Sequence, residues 1–122
     1  MMRVGISQRS RAHVVKSAWR AASSRGVSDW CSKTLLAASA ALDRGDVSAV
    51  QLTQACIQQV ESTRAFNMFV ATDFEHALEL ARASDERRAS GKARGLLDGI
   101  PVGIKDIFCT TNLATTAGSK VL

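Results

Sequence analysis

The sequence predicts an α/β chain in which helices lead into a short buried strand. Three observations carry this. Apolar residues recur at helical spacing through three stretches between residues 33 and 90. An unbroken apolar run, Ile100-Pro101-Val102-Gly103-Ile104, follows them behind a glycine. The hydrophobic share of 46% suits a globular chain, but aromatics are only 5% and alanine is abundant, so the core is expected to be thin.

The first expected helix covers about residues 33–44, with Leu35, Leu36, Ala40 and Leu42 inward and Gly45 as its stop. A second runs from about 49 to 63. Ser48 and Gln51 have capping-box spacing, and Ala49, Leu52, Thr53, Cys56, Ile57 and Val60 share one face as core packing. Phe66 to Val70 reads as a strand or an extended connector. Thr72 with Glu75 suggests another capping box, opening a helix to about Ser90 with Phe74, Ala77, Leu78 and Ala81 on its apolar face. Asp85 lies on that same side, either anchoring the segment that follows or solvated at the helix end. The run Asp85-Glu86-Arg87-Arg88 reads as a solvated face, and Gly91 to Gly95 as a flexible connector.

Residues 1–30 differ in kind. They carry Arg3, Arg9, Arg11, Lys16, Arg20 and Arg25 and no acid before Asp29, among many serines and alanines. That composition is read as a disordered mitochondrial targeting peptide, which places the protein in the matrix, with residues 31–122 as the folded part. A basic tail for an acidic partner is the alternative. No apolar run is long enough to cross a membrane. The formal net charge of +5 resides wholly in this leader, because ten basic and ten acidic residues balance beyond it. A nucleic-acid-binding role is therefore disfavoured for the body of the chain.

The informative stretch is GLLDGIPVGIKDIFCTTNLATTAGSKVL, Gly95 to Leu122, with Gly95, Gly99 and Gly118 as turn formers. Pro101 suits the start of a strand, and Lys105-Asp106 closes it. Taking an ammonium out of water favours its neutral form, and a lysine tuned in this way can accept a proton from a hydroxyl nucleophile. Alternatively, Lys105 pairs with Asp106 or reaches back to water.

Gly99-Ile100-Pro101, Lys105-Asp106, Cys109-Thr110, Thr115-Thr116 and Gly118-Ser119-Lys120, closing on Leu122, resemble the N-terminal part of the amidase signature family. The likeness is strong at this end and weaker across the helices from residue 31. Ile107 stands where many members carry a polar residue. Asn112 stands where many carry glycine, although asparagine also tolerates a left-handed turn.

The resemblance implies an α/β/α sandwich, incomplete in these residues, and makes Lys105 the catalytic base of a Ser-Ser-Lys amidase. It points to the branch that hydrolyses glutamine through an acyl-enzyme. Ammonia then passes to partner subunits of the B and C type, which convert Glu-tRNA(Gln) to Gln-tRNA(Gln) with ATP and Mg. No cofactor is expected in the chain itself. Neither Ser90 nor Ser119 sits in the Gly/Ser-rich context of the family's two serines. The expectation is therefore a fragment, inactive by itself. The alternatives are a piece of a general amidase of the fatty-acid-amide type and a non-catalytic subunit-docking module.

Cys31, Cys56 and Cys109 form no CxxC pair, and His13 and His76 are too few to complete a zinc site, so free thiols are expected. Cys109 lies near Lys105 in sequence, which makes a thiol nucleophile a minor alternative.

Overall fold

The computed structural model describes residues 27–120. The expected leader lies outside the described residues except for its last four, which open a 3-10 turn over Val27–Ser32. Three helices follow: α1, Leu35–Arg44; α2, Ala49–Ser62; and α3, Phe74–Ala89. A single 3-10 turn, Arg64–Phe66, lies between α2 and α3. No helix among the described residues is long and apolar enough to cross a membrane.

Local chemistry sets the helix ends. Thr34 Oγ1 accepts the Ala37 N–H at 3.2 Å to open α1, and Gly45 closes it in the left-handed region at φ 73°. The expected capping box forms on α2. Gln51 N–H donates to Ser48 Oγ at 3.0 Å, and Ser48 N–H donates to Gln51 Oε1 at 2.9 Å. α3 opens differently from the expectation. Asp73, not Thr72, is the cap, its carboxylate accepting the His76 N–H at 3.1 Å. An aspartate outranks threonine at this position, which sets the start of the helix.

The core is thin, as expected. Ala38, Ala41, Leu42, Val47, Ala49, Leu52 and Ala81 form it, with Trp30, Val50 and Ile100 packed against it. α2 lies at its centre, packed on the N-terminal turn and on α3. Alanines let the helices approach closely but bury little apolar area each. α1 presents a different face from the one read off its sequence. Ala38, Ser39, Ala41 and Leu42 are buried, whereas Leu35 and Leu36 are exposed. Ser39 explains the rotation, because its hydroxyl donates to the Leu96 carbonyl at 2.8 Å and holds that side of α1 against the chain after α3.

The acidic–basic run at the end of α3 is not a solvated face. Asp85 is buried and accepts the N–H groups of Ala49 at 2.7 Å and Val50 at 3.2 Å, so it caps α2 from a different helix. Arg87 forks onto Asp98, with Nη2 to Oδ1 at 2.6 Å and Nε to Oδ2 at 3.2 Å. Arg88 bridges the Asp98 carbonyl (Nη2 at 2.5 Å) and the Asp43 carboxylate at the end of α1 (Nη1 at 2.6 Å). Gly99 follows with φ 85°, and a Cβ there would lie 2.7 Å from Ser84 Oγ and 2.8 Å from Ala49 Cβ. Glycine is therefore required for the chain to cross the α2–α3 contact.

The expected strand at 100–104 does not form, and no strand occurs among the described residues. The layered α/β sandwich is therefore not built by them. An apolar run of this length specifies burial or extension, but a strand also needs a neighbour whose backbone completes the ladder. Ile100 reaches the core, whereas Val102 and Ile104 are 65% and 59% exposed. Phe66 to Val70 likewise joins no ladder. It leaves the 3-10 turn through Asn67 at φ 51° and runs on as a connector.

Removing the cross-helix cap tests its contribution. Asp85→Ala leaves the Ala49 and Val50 N–H groups without their partner and is expected to lower stability by about 1–2 kcal/mol in urea denaturation. Asp98 gives a pH signature. The Arg87 guanidinium, opposed by burial and aided by the Arg94 N–H, holds its carboxyl well below the usual carboxylate range. Its folded pKa is depressed, so its stabilisation is complete above the unfolded value of about 4 and is lost as pH falls towards the folded value. Acid unfolding of Asp98→Asn should show a shallower slope over that window than the parent chain.

Candidate functional site

Lys105 and Asp106 stand at a turn in which the Phe108 N–H donates to the Lys105 carbonyl at 3.0 Å. The two side chains part there. Among the described residues no ion pair joins them, and Lys105 is exposed rather than buried at a strand end. The physical reason is the missing strand. Without a sheet neighbour, nothing covers Val102 or Ile104, and the residue after them faces solvent.

Asp106 turns towards Thr115–Ser119 instead. Its carboxylate accepts the Thr116 hydroxyl in a very short hydrogen bond and the Thr116 N–H at 2.9 Å. Its carbonyl accepts the Ala117 N–H at 3.0 Å. Two further bonds tighten the same bend. Ser119 N–H donates to the Thr116 carbonyl at 2.8 Å, and Thr115 Oγ1 donates to the Phe108 carbonyl at 3.2 Å. The Thr116 hydroxyl, followed by the surrounding backbone N–H groups, holds the Asp106 carboxyl below its ordinary pKa. The carboxylate is thus ionised and occupied, and the neighbouring lysine is left available.

The sequence points to the residues of this clamp but not to their pairing. Thr115-Thr116 is legible as a motif, but an Asp followed at ten residues by a hydroxyl obeys no spacing rule that would join them. The left-handed residue in the region is Ala117 at φ 49°, beside Gly118 at φ 69°, and not Asn112. An alanine in that conformation is uncommon, and the bond from its own N–H to Asp106 helps to hold it there.

Lys105 lines one wall of a cleft of about 410 Å³. Phe69, Phe74 and Ala77 lie on the side formed by the connector and α3, and Ile104, Phe108 and Thr115 lie on the other. A largely apolar cleft with an amine and a few hydroxyls at its edge suits a small ligand that carries a polar end. Cys109 is exposed. His76 faces Glu79 across one helical turn, with Nδ1 and Oε2 3.5 Å apart. No set of His, Cys, Asp and Glu able to hold a metal ion occurs among the described residues.

Changing Thr116 tests the clamp. Thr116→Val removes the hydroxyl donor while keeping the N–H, and the Asp106 carboxyl should titrate at a higher pH, measured by carbon NMR of the carboxyl resonance. Because the Asp106 pKa is depressed in the folded chain, the clamp's stabilisation is present above the unfolded carboxylate value and fades as pH falls through the folded one. An unmoved Asp106 titration in the variant would mean that the hydroxyl is not the principal cause.

The family described as Amidase matches residues 51–122, which hold all of α2 but its first two residues, the whole of α3 and the clamp. The A-type component of glutamyl-tRNA(Gln) amidotransferase from Chloroflexus aurantiacus is 48% identical over 90 residues, covering 73% of this chain and 18% of the relative. The protein of the same name from a Caulobacter species is 49% identical over 96 residues, covering 79% of this chain and 19% of the relative. The one from Cereibacter sphaeroides is 48% identical over 89 residues, with 73% and 18% covered. The chain thus spans under a fifth of the length of these curated relatives. No solved structure is significantly similar to it. The family match covers more than half of the chain and includes the Lys105-Asp106 turn with its threonine clamp; the chain belongs to the amidase signature family.

Proposed function

We propose that this chain supplies the N-terminal portion of a glutamine-hydrolysing amidotransferase subunit, with Lys105 as the catalytic base. The observation that carries the reading is the separation of Lys105 from Asp106. The carboxylate that would neutralise the lysine is committed to Thr116, and the amine is left at the edge of an apolar cleft. Membership of the family and the identity of about 48% to A-type amidotransferase components support the choice of substrate.

In this reading the Lys105 amine takes the proton of a serine hydroxyl through a bridging serine as the serine oxygen attacks the glutamine amide carbon. The proton is handed back to the leaving nitrogen, which departs as ammonia, and water then cleaves the acyl-enzyme to release glutamate. Both serines belong to a Gly/Ser-rich signature that these 122 residues do not contain, so the residues alone hydrolyse no glutamine. Burial favours the unprotonated form of an amine, and in these residues Lys105 is exposed. The serine-bearing part of the fold would both cover the cleft and bring the nucleophile. B- and C-type subunits receive the ammonia and carry out the ATP- and Mg-dependent conversion of Glu-tRNA(Gln). The basic leader, residues 1–30, directs the protein to the mitochondrial matrix.

A second reading, a docking module without catalysis, is favoured by the exposed Leu96, Leu97, Val102, Ile104, Ile107 and Phe108. One experiment separates the two. Residues 31–122 replace the matching segment of the Chloroflexus aurantiacus relative, and glutamine hydrolysis is measured with partner subunits present. The chimera should be active, the 122 residues alone should not be, and Lys105→Ala should lower the chimera's rate by about 10²–10⁴-fold. A Lys105→Ala chimera that keeps its rate overturns the base role. A chimera that binds the partner subunits but hydrolyses nothing favours docking. Faster turnover of fatty acyl amides than of glutamine would favour the general amidase.

A further inference from the structure

Cys31 and Cys56 are 25 residues apart in sequence, yet their sulfurs lie 3.8 Å from each other. Cys31 sits on the N-terminal 3-10 turn and is exposed, and Cys56 is half-buried on α2. The approach follows from packing, because the turn lies along α2 with Trp30 against the core. A disulfide needs sulfurs about 2 Å apart, so the pair is within a side-chain rotation and a small backbone adjustment of bonding. No further His, Cys, Asp or Glu joins the two into a metal-holding set among the described residues. The geometry therefore offers two-thiol chemistry. Cys109 has no such neighbour among the described residues and serves as an internal comparison.

We propose that Cys31 and Cys56 form a thiol–disulfide site that reacts with small-molecule disulfides of the glutathione class and, when oxidised, ties the N-terminal turn to α2. Cys31 is the attacking group because it is the exposed one. Its deprotonated sulfur attacks one sulfur of glutathione disulfide. A bond forms between Cys31 and that glutathione, and the other glutathione leaves as a thiolate and takes up the released proton. Cys56 sulfur then attacks Cys31 sulfur, displacing the second glutathione, which receives the Cys56 proton. Two protein thiols are oxidised and one glutathione disulfide becomes two glutathione thiols. Burial, followed by the contact with the Cys31 thiol, pushes the Cys56 thiol up to about 11, which suits a resolving group that stays protonated until the mixed disulfide is beside it. The oxidised chain carries a covalent loop closed across the turn and α1.

The 122-residue chain is equilibrated with glutathione disulfide, its remaining thiols are alkylated, and its peptides are mapped by mass. A Cys31–Cys56 cross-linked peptide free of glutathione should appear, whereas Cys109, exposed but without a resolving thiol beside it, should be found alkylated or as its glutathione adduct. In Cys109→Ser the same cross-link should form and no alkylatable thiol should remain. Oxidation should raise the urea midpoint of the parent chain and leave that of Cys31→Ser unchanged. A cross-link that includes Cys109, disulfides between chains, or a Cys31 that stops at the glutathione adduct while Cys56 remains alkylatable would overturn the proposal. Repeating the oxidation in denaturant gives a further control. There the Cys31–Cys56 preference should disappear, and if it persists then the folded approach of the sulfurs is not its cause.

Discussion

Asp98 is the constraint on which the arrangement depends. Its carboxylate holds the Arg87 fork and the Arg94 N–H, and its carbonyl takes Arg88, which reaches on to Asp43 at the end of α1. One residue thus fixes the segment after α3 to two helices. Gly99 then passes through the gap between Ser84 and Ala49, where no side chain fits. From that point Ile100 enters the core, and the direction of the chain towards Lys105 is set. Charge-assisted bonds are suited to this task because a core of alanines contributes little area with which to hold an irregular segment.

Asp85 acts in a similar way from the other side of α3. By accepting two N–H groups at the start of α2 it joins the capping problem of one helix to the position of another. α2 is then held by contacts to the N-terminal turn and to α3. Polar side chains therefore help apolar packing to position the helices, as the buried Ser39 and Asp85 show.

The Lys105-Asp106 turn is organised by the same principle at smaller scale. A carboxylate beside a lysine is a candidate ion-pair partner, but Asp106 instead accepts both the N–H and the hydroxyl of Thr116. The fold therefore keeps apart two neighbours that the sequence sets side by side. Under the proposed function this separation keeps the base unpaired. In the Cys31–Cys56 pair packing has the opposite effect and brings distant residues together.

The helices, the capping box at Ser48, the stop at Gly45, the thinness of the core and the family of the Gly95–Leu122 stretch are all legible in the residues alone. These are local or compositional properties, and spacing rules read them directly. Lys105 stands out as a candidate in the same way, but its exposure does not. Burial at 100–104 depends on a sheet neighbour, which the periodicity of one segment cannot supply. Tertiary contacts settle the rest: Asp85 caps α2, Arg87 and Arg88 bind Asp98 rather than water, Asp106 pairs with Thr116, and Cys31 meets Cys56. Each joins residues that local spacing rules do not connect. A charged or thiol side chain looks the same in sequence whether solvent or another segment receives it, and packing alone chooses between them.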